Sequence, residues 1–371
     1  MRIALVISSL GCGGAERVIS TMANYWAAKG REVTLITFYP MENDFYRLDP
    51  AVRRVALGLH GPPPNLLATA RNVLADLFRL RRAVRRARPD AVISFIDNTN
   101  TRALLATRGL GVNVVVSERV DPARHKIRRR WERLRRVSYP WADAIVAQTG
   151  NAAEWLRGIS GDAPVAVIPN PLASLDRETA DGPGTARIDV SRSTVLAMGR
   201  LEPQKGFDML ITAFARAGAA HPGWRLVILG EGGERDALTA LADRLGIAGR
   251  VSLPGAVKTP MPVLSRGGMF VLSSRFEGFP NALMEAMACG LPAVSFDCPS
   301  GPAGIIRDGV DGLLVPPEDV EALAAAMGRL MGDEDERKRL ASRAVEVKER
   351  FGQETVMGMW DNLLEQLGVS G

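Results

Sequence analysis

Residues Phe270–Phe296 read FVLSSRFEGFPNALMEAMACGLPAVSF. Phe270–Ser273 is a short apolar run of the kind that forms a strand covered on both faces. A loop with Glu277, Gly278 and Pro280 follows. Asn281 has the side chain of a helix N-cap, the stretch to Cys289 is rich in strong helix formers, and Gly290 suits the position after a helix end. Ala293–Phe296 is a second apolar run. Strand, helix and strand within 27 residues make a βαβ unit, and parallel strands need such a crossover.

The same alternation runs through the chain. Apolar runs at Ile3–Ser8, Glu32–Phe38, Arg54–Leu57, Ala91–Phe95, Val112–Ser117, Ala144–Ala147 and Val165–Ile168 predict strands in the first half. Thr194–Met198, Arg225–Leu229, Val251–Leu253, Phe270–Ser273, Ala293–Phe296 and Leu313–Val315 predict strands in the second. Helical stretches lie between them, as in Ala15–Ala28 closed by Gly30. Thirteen strands exceed one small open sheet. The break falls at 170–193, NPLASLDRETADGPGTARIDVSRS, which is polar and rich in Gly, Pro and Asp. The expected architecture is α/β: two doubly wound, Rossmann-like parallel sheets facing a cleft, where ligands lie beyond the carboxyl ends of strands. Residues 1–170 form one domain, 171–193 a linker and 194–348 the other. Residues 349–371 are expected to form a C-terminal stretch that crosses back to the first domain, anchored by Trp360.

Ordinary hydrophobic (46%) and charged (24%) fractions allow large cores without disulfide or metal staples. Cys12, Cys289 and Cys298 match no metal or redox spacing, which favours a reduced, cytoplasmic setting. His60, His125 and His221 read as isolated, so no metal site is expected. MRIALVISSLGCGG reads as a first strand entering a glycine loop rather than a signal peptide. No run approaches the ~20 apolar residues of a membrane span. Residues 1–185 carry a net charge of +10 and residues 186–371 one of −4. The first half therefore faces an anionic partner or surface.

Three segments carry chemistry. In Arg275–Pro292 the first amides of the predicted helix, near Ala282 and Leu283, point out as an anion site. Glu277 precedes the helix and Glu285 lies about one turn inside. One carboxylate is placed for a reacting sugar and the other for a ribose diol, although an acidic first turn favoured by the helix dipole also accounts for either alone. Gly199–Gly206, GRLEPQKG, follows a strand. Its Arg200 and Lys205 can stabilise charge on a leaving diphosphate more in the transition state than in the ground state; two solvated surface cations are the plain alternative. Gly11–Glu16, GCGGAE, follows the first strand. Glu16 stands where a dinucleotide fingerprint needs glycine, and no acidic residue closes the second strand, so NAD is disfavoured. Gly13 and Gly14 either admit a donor group closely or simply make a tight turn.

GRLEPQKG, EGFPNALMEAMACGLP, DGLLVPPED at 311–319, GCGGAERV and VIPNP at 167–171 together resemble the retaining family 4 glycosyltransferases of GT-B fold, over nearly the whole chain. The Glu277-x7-Glu285 arrangement is the most specific element. The resemblance implies transfer of a sugar from a nucleotide-diphosphate sugar, a UDP-sugar by family precedent, with retention of configuration. It implies no metal and no cofactor, the nucleotide sugar being a co-substrate. Arg200 and Lys205 would hold the diphosphate, Glu285 the ribose, and Glu277 would lie beside the sugar. Gly278, Phe279, Asn281, Ala282 and Leu283 would contact sugar or phosphate, with Gly13 and Gly14 across the cleft. Relatives place a histidine after the Val112–Ser117 strand. Here VVVSERVDP offers Glu118 and Arg119 for the acceptor side, or a loop ion pair. A sugar-nucleotide epimerase, a phosphorylase or transfer to a small soluble acceptor would use the same fold, and a nucleotide-binding regulator would use the same pocket. EGFPNALME argues against the epimerase and the phosphorylase.

Residues 71–88 hold seven Arg and one Asp, with Val73, Leu74, Leu77, Leu80 and Val84 near helical spacing. Residues 124–137 hold eight Lys/Arg and one Glu, with Ile127, Trp131 and Leu134. Both predict basic amphipathic helices that dock on an anionic membrane, placing the enzyme peripherally on the inner face of the cell membrane beside a lipid-linked acceptor. Solvated helix faces are the alternative. Sparse aromatics disfavour nucleic acid.

Overall fold

A computed structural model describes residues 1–58, 66–125, 127–172, 188–257 and 259–369. His60, the 60–65 segment, Lys126 and most of the expected linker (173–187) lie outside the described residues. The chain divides into two compact units, Met1–Pro171 with Gln353–Gly371, and Leu172–Gly352.

The first unit holds β1 (Arg2–Ile7), β2 (Glu32–Thr37), β3 (Arg53–Ala56), β4 (Ala91–Phe95), β5 (Asn113–Ser117), β6 (Ala144–Ala147) and β7 (Val165–Val167), with helices α1 (Gly14–Ala28), α2 (Leu66–Ala87), α3 (Asp97–Thr107), α4 (Arg129–Ser138) and α5 (Gly150–Arg157). The second holds β8 (Thr194–Met198), β9 (Arg225–Leu229), β10 (Val251–Gly255), β11 (Met269–Leu272), β12 (Ala293–Phe296) and β13 (Gly312–Val315). Its helices are α6 (Phe207–Ala217), α7 (Arg235–Arg244), α8 (Met261–Leu264), α9 (Asn281–Ala288), α10 (Pro302–Ile305), α11 (Val320–Gly332), α12 (Glu334–Ala344) and α13 (Val347–Arg350). The thirteen strands are those read from the apolar runs, with ends shifted by at most two residues.

Both sheets are parallel throughout. Their orders are β3-β2-β1-β4-β5-β6-β7 and β10-β9-β8-β11-β12-β13. Each winds outward in both directions from a central pair, β1/β4 in one and β8/β11 in the other. Such a reversal leaves a crevice at the carboxyl ends of the central strands. Strand alternation feeds two cores per sheet. Ile3, Leu5 and Ile7 pack with α1, and Ala4 and Val6 face the α2, α3 and α5 side. In the second unit Val195 and Ala197 face α6 and α11, while Leu196, Phe270 and Leu272 face α9 and α13. Leu172 donates its N–H to the Phe351 carbonyl (2.7 Å), so the chain joins the second core directly after Pro171.

The last helix, α14 (Gln353–Gln366), belongs to the first unit. Val356, Met357, Trp360 and Leu364 are fully buried there, and Trp360 stacks on Phe95 with centroids 6.4 Å apart. Polar ties fix its register on α1: Trp26 Nε1 to Asp361 Oδ1 at 2.9 Å and Tyr25 Oη to Glu354 Oε2 at 2.6 Å.

The basic helices differ from the expected amphipathic pattern. On α2, Leu80 and Val84 enter the core, but Leu74 and the neighbouring Phe78 are 68% and 67% exposed. On α4, Trp131 is inside, stacked on Arg102, whereas Leu134 and Val137 face outward. Arg135, expected among the docking cations, is buried at 2% exposure. The cause is α3, which packs between the two helices and takes one side of each.

Arg135 belongs to a buried polar network. Tyr139 Oη donates to Glu118 Oε1, Arg135 Nη1 lies 3.6 Å from the same oxygen, and Asn100 Nδ2 donates to Tyr139 Oη at 3.1 Å. Glu118 is thus buried and paired with Tyr139 and Arg135. Its carboxyl is pushed up to about 7, by burial first and by Asp97 and Glu132 against the help of Arg135 and Tyr139. Arg119 is buried as well, with its guanidinium 3.6 Å over the Phe95 ring and Nη1 donating to Asn170 Oδ1 at 2.8 Å. Burial pulls it down to about 9, still a cation at neutral pH.

Two outcomes follow from these cores. Trp360→Ala should cost about 3–5 kcal/mol and strip hydrogen-exchange protection from β1 and β4 while leaving residues 194–352 unchanged. Glu118 has a raised folded pKa, so its favourable contribution is complete below the unfolded value near 4.5 and is lost as pH rises through about 7. In urea unfolding, Glu118→Gln should therefore gain on the wild type between pH 4.5 and pH 7, by on the order of 3 kcal/mol. A constant difference across that window contradicts the burial of Glu118.

Candidate functional site

The second unit's crevice is made by the loop after β8, Gly199–Gly206, and the loop after β11, Ser273–Pro280. The strands are neighbours (Met269 beside Val195, Phe270 beside Leu196), so the loops leave the sheet side by side. Gly206 stands at φ +61°, and a Cβ there would overlap the Ser273 carbonyl oxygen. Only glycine accepts both the left-handed backbone and the close approach. Ser273 Oγ donates to the Lys205 carbonyl (2.9 Å), Arg275 N–H to the Gln204 carbonyl (2.9 Å), and Gln204 Nε2 to the Phe276 carbonyl (2.9 Å). Arg275 also forks onto Asp208 at the start of α6, at 2.8 and 3.1 Å. The two loops are thus tied together by backbone and side-chain bonds.

A third loop, Gly230–Glu234 after β9, packs on the first. Leu201 N–H donates to the Glu231 carbonyl (2.8 Å) and Glu234 N–H to the Leu201 carbonyl (3.0 Å). A Cβ on Gly230 or Gly232 would overlap the carbonyls of Gly199 or Leu201. Its G-E-G-G run directly after a strand was the signal by which the sequence could have placed it in the site.

Within this frame Lys205 Nζ donates to Glu277 Oε1 at 2.6 Å, with side chains only 18% and 8% exposed. Ser274 Oγ, fully buried, donates to the same oxygen at 2.6 Å. An ammonium has three donors, and the bond to Glu277 uses one. Arg200 is exposed and pairs with Glu202 at 2.9 Å, a surface pair that exchanges partners at little cost.

Asn281 opens α9, but Pro280, not Asn281, occupies the N-cap. The proline's fixed φ ends the loop, and Asn281 becomes the first helical residue. Leu283 N–H is spent on the Pro280 carbonyl (3.1 Å), and its side chain is core, so it differs from the amide donor expected there; Ala282 remains as the amide at the helix mouth. Phe279 turns its ring inward onto Phe351 (5.3 Å), leaving only its backbone and that of Gly278 for a ligand. The 297–304 loop closes over them, with Gly301 at φ +100° against Pro280 and Gly278. Glu285, one turn into α9, is buried beside Cys289, while Glu277 neighbours Cys298. Burial, then these carboxylates, raise the two thiols to about 11 and about 12, so both stay protonated. Asp333, part of a D-x-D sequence, caps α12 through Glu336 N–H (2.8 Å).

The first unit's crevice is built differently. Gly13 caps α1 in extended backbone and Gly14 is its first residue; the Glu16 carboxylate occupies the space a Cβ on Gly13 would fill. After β4, Ile96 is held at φ +76°, and Asp97 follows, buried, with its carboxylate 3.4 Å from Nε2 of the half-exposed His125. His125 is therefore not isolated. Asp97 and His125 lie 28 positions apart, and only the neighbouring carboxyl ends of β4 and β5 bring them together.

A family model described as "Glycosyl transferases group 1" matches residues 184–347, and one described as "Glycosyltransferase Family 4" matches residues 12–173. The chain is 30% identical, over 99% of both chains, to a Campylobacter jejuni protein named as a GalNAc-alpha-(1->4)-GalNAc-alpha-(1->3)-diNAcBac-PP-undecaprenol alpha-1,4-N-acetyl-D-galactosaminyltransferase. It is 31% identical to a Streptomyces coelicolor protein named as an exopolysaccharide phosphotransferase, over 96% of this chain but only 39% of that one. Among solved structures, sucrose-phosphate synthase from Thermosynechococcus elongatus superposes with a TM-score of 0.84 at 20% identity, covering 100% and 99% of the two chains. Anabaena HepE in complex with UDP superposes with a TM-score of 0.79 at 19% identity, covering 99% and 100%. The fold is GT-B, and the chain belongs to the family 4 glycosyltransferases.

Proposed function

We propose that this enzyme moves a sugar, with retention of configuration, from a UDP-sugar to a lipid-linked glycan in cell-surface polysaccharide assembly. The observation that carries the donor half is the Lys205–Glu277 bond of 2.6 Å at the mouth of α9, on loops laced into one piece. A cation and a helix amide facing one crevice suit a diphosphate, and a carboxylate beside them suits a sugar hydroxyl. HepE, of the same fold, is described with UDP.

The bond from the anomeric carbon to the phosphate oxygen breaks, and its electron pair stays with the diphosphate. Lys205, Arg200 and the Ala282 amide stabilise that growing charge. The acceptor hydroxyl attacks the same face, and its proton passes to the departing phosphate oxygen. Glu277 holds the sugar, and Glu285 accepts from the ribose diol. The charge on the leaving group is met by the protein's own cations, so we assign neither metal nor cofactor a step.

The acceptor half rests on the relatives and on the first unit's surface. The Campylobacter relative's name specifies an undecaprenol diphosphate glycan. On α2 the exposed Leu74 and Phe78 stand among Arg79, Arg82, Arg85 and Arg86, and a groove of about 500 Å³ is lined by Phe78 with Arg81, Arg82, Arg85, Arg86 and Arg88. On α4 the exposed Leu134 and Val137 stand with Arg129, Arg130, Arg133 and Arg136. Apolar side chains ringed by arginine suit the headgroup layer of an anionic membrane, at about 1 kcal/mol per cation. Among the described residues no helix is long and apolar enough to cross a membrane.

In a thermal-shift panel of nucleotide sugars, UDP-sugars should raise the melting temperature most, and Lys205→Ala should lower turnover by about 10²-fold or more. A wild-type rate in that variant removes Lys205 from leaving-group stabilisation. The protein should also float with phosphatidylglycerol vesicles, release at high salt, and lose affinity in Phe78→Ser with Arg82→Glu. Equal behaviour with neutral vesicles refutes the membrane assignment.

A further inference from the structure

Glu277 is gripped by one oxygen only. Oε1 accepts from Lys205 Nζ and from Ser274 Oγ, each at 2.6 Å. No partner among the described residues meets Oε2. The carboxylate is therefore fastened at one end and presents the other.

The two donors differ in kind. Lys205 is a flexible cation whose charge is also suited to phosphate. A diphosphate within its reach competes with Glu277 for that charge. Ser274 is neutral, 1% exposed and lies two residues past the end of β11, so a diphosphate exerts no charge attraction on it. Ser273 and Ser274 are divided between two partners. Ser273 Oγ fixes the Lys205 main chain at its carbonyl (2.9 Å), while Ser274 Oγ fixes the Glu277 side chain. The serine pair thus sets the cation and the carboxylate against each other from one short segment.

We propose that Ser274 is a positioning residue for sugar transfer: its hydroxyl keeps Glu277 aimed with Oε2 toward the sugar once Lys205 engages the diphosphate. The inference rests on the donor-site reading above. It adds a residue that touches neither sugar nor phosphate and acts through Glu277.

The test compares wild type, Ser274→Ala, Ser274→Thr and Ser274→Cys, with nucleotide release from a panel of UDP-sugars and UDP binding by calorimetry. For Ser274→Ala kcat should fall about 10- to 100-fold, the scale of misplacing a reacting group by about an ångström. The donor KM and the UDP dissociation constant should stay within about threefold. Ser274→Thr keeps the hydroxyl and should recover most of the rate, and Ser274→Cys, a weak donor, should fall between. A wild-type kcat in Ser274→Ala and Ser274→Cys overturns the inference and leaves the donor site standing. So does a fall in kcat matched by loss of UDP binding, since Ser274 would then be shaping the pocket. If Ser274→Ala does not fold, the Thr and Cys variants decide by the same criteria. Wild-type protein that binds no UDP and releases no nucleotide removes the donor-site reading and this inference with it.

Discussion

The contact of Gly206 beneath the Ser273 carbonyl is the constraint on which the second unit's chemistry depends. Two parallel strands of opposite winding leave their loops diverging, and the crevice between them is ordinarily a gap. Here the left-handed glycine lets one loop fold under the other. Backbone and side-chain bonds then run from Gln204 and Lys205 to Ser273, Arg275 and Phe276. A larger residue would push the loops apart by more than a hydrogen bond tolerates. The placement of Lys205 against Glu277 is thus a property of the main chain, with the ion pair as its result.

That ordering matters energetically. A buried ion pair seldom repays the desolvation of both charges, so Lys205–Glu277 is weak evidence for stability and better evidence for a site. The remaining capacity of both groups points the same way. The lysine has donors beyond the one used, and the glutamate has a second oxygen. The first unit treats its buried charges otherwise. Arg119 is held by ring faces and an amide, and Glu118 is enclosed with Tyr139 and Arg135. Glu118 is thus engaged inside the unit, whereas Arg119 meets Asn170 through Nη1 alone and keeps Nε and Nη2 buried without a hydrogen-bond partner among the described residues.

The sheets were legible because a parallel strand covered on both faces is a continuous apolar run, and thirteen such runs became thirteen strands. The Arg200–Lys205 turn and the Glu277–Glu285 segment were legible because each is contiguous in sequence at a strand's carboxyl end. Bonds between segments were not. Nothing in Gln204 distinguishes it from other polar loop residues, since its partner lies 72 positions away in geometry set by the β8/β11 pairing, and the bond of Ser274 to Glu277, three positions on, depends on how one loop turns. The same holds for Asp97 and His125. On α2 and α4 periodicity found the helices but misassigned their faces. Arginine at nearly every polar position leaves the hydrophobic stripe undefined until α3 selects one side.

The two switch points solve one geometric problem by opposite means. Beside β8, glycine removes the side chain that would clash. Beside β4, Ile96, a β-branched residue, is kept at φ +76°, where such residues cost about 1–3 kcal/mol. The surroundings hold it there. Ile96 N–H donates to the Ser117 carbonyl (3.1 Å), its own carbonyl accepts from Asn100 N–H (2.8 Å), and Asn100 Nδ2 returns to Ser117 (3.0 Å). What the strain achieves is the direction of the next residue: Asp97 enters the first turn of α3 with its carboxylate toward His125. A glycine at 96 would relieve the cost and let Asp97 wander. The strained isoleucine therefore fixes the buried Asp97 carboxylate against the half-exposed His125.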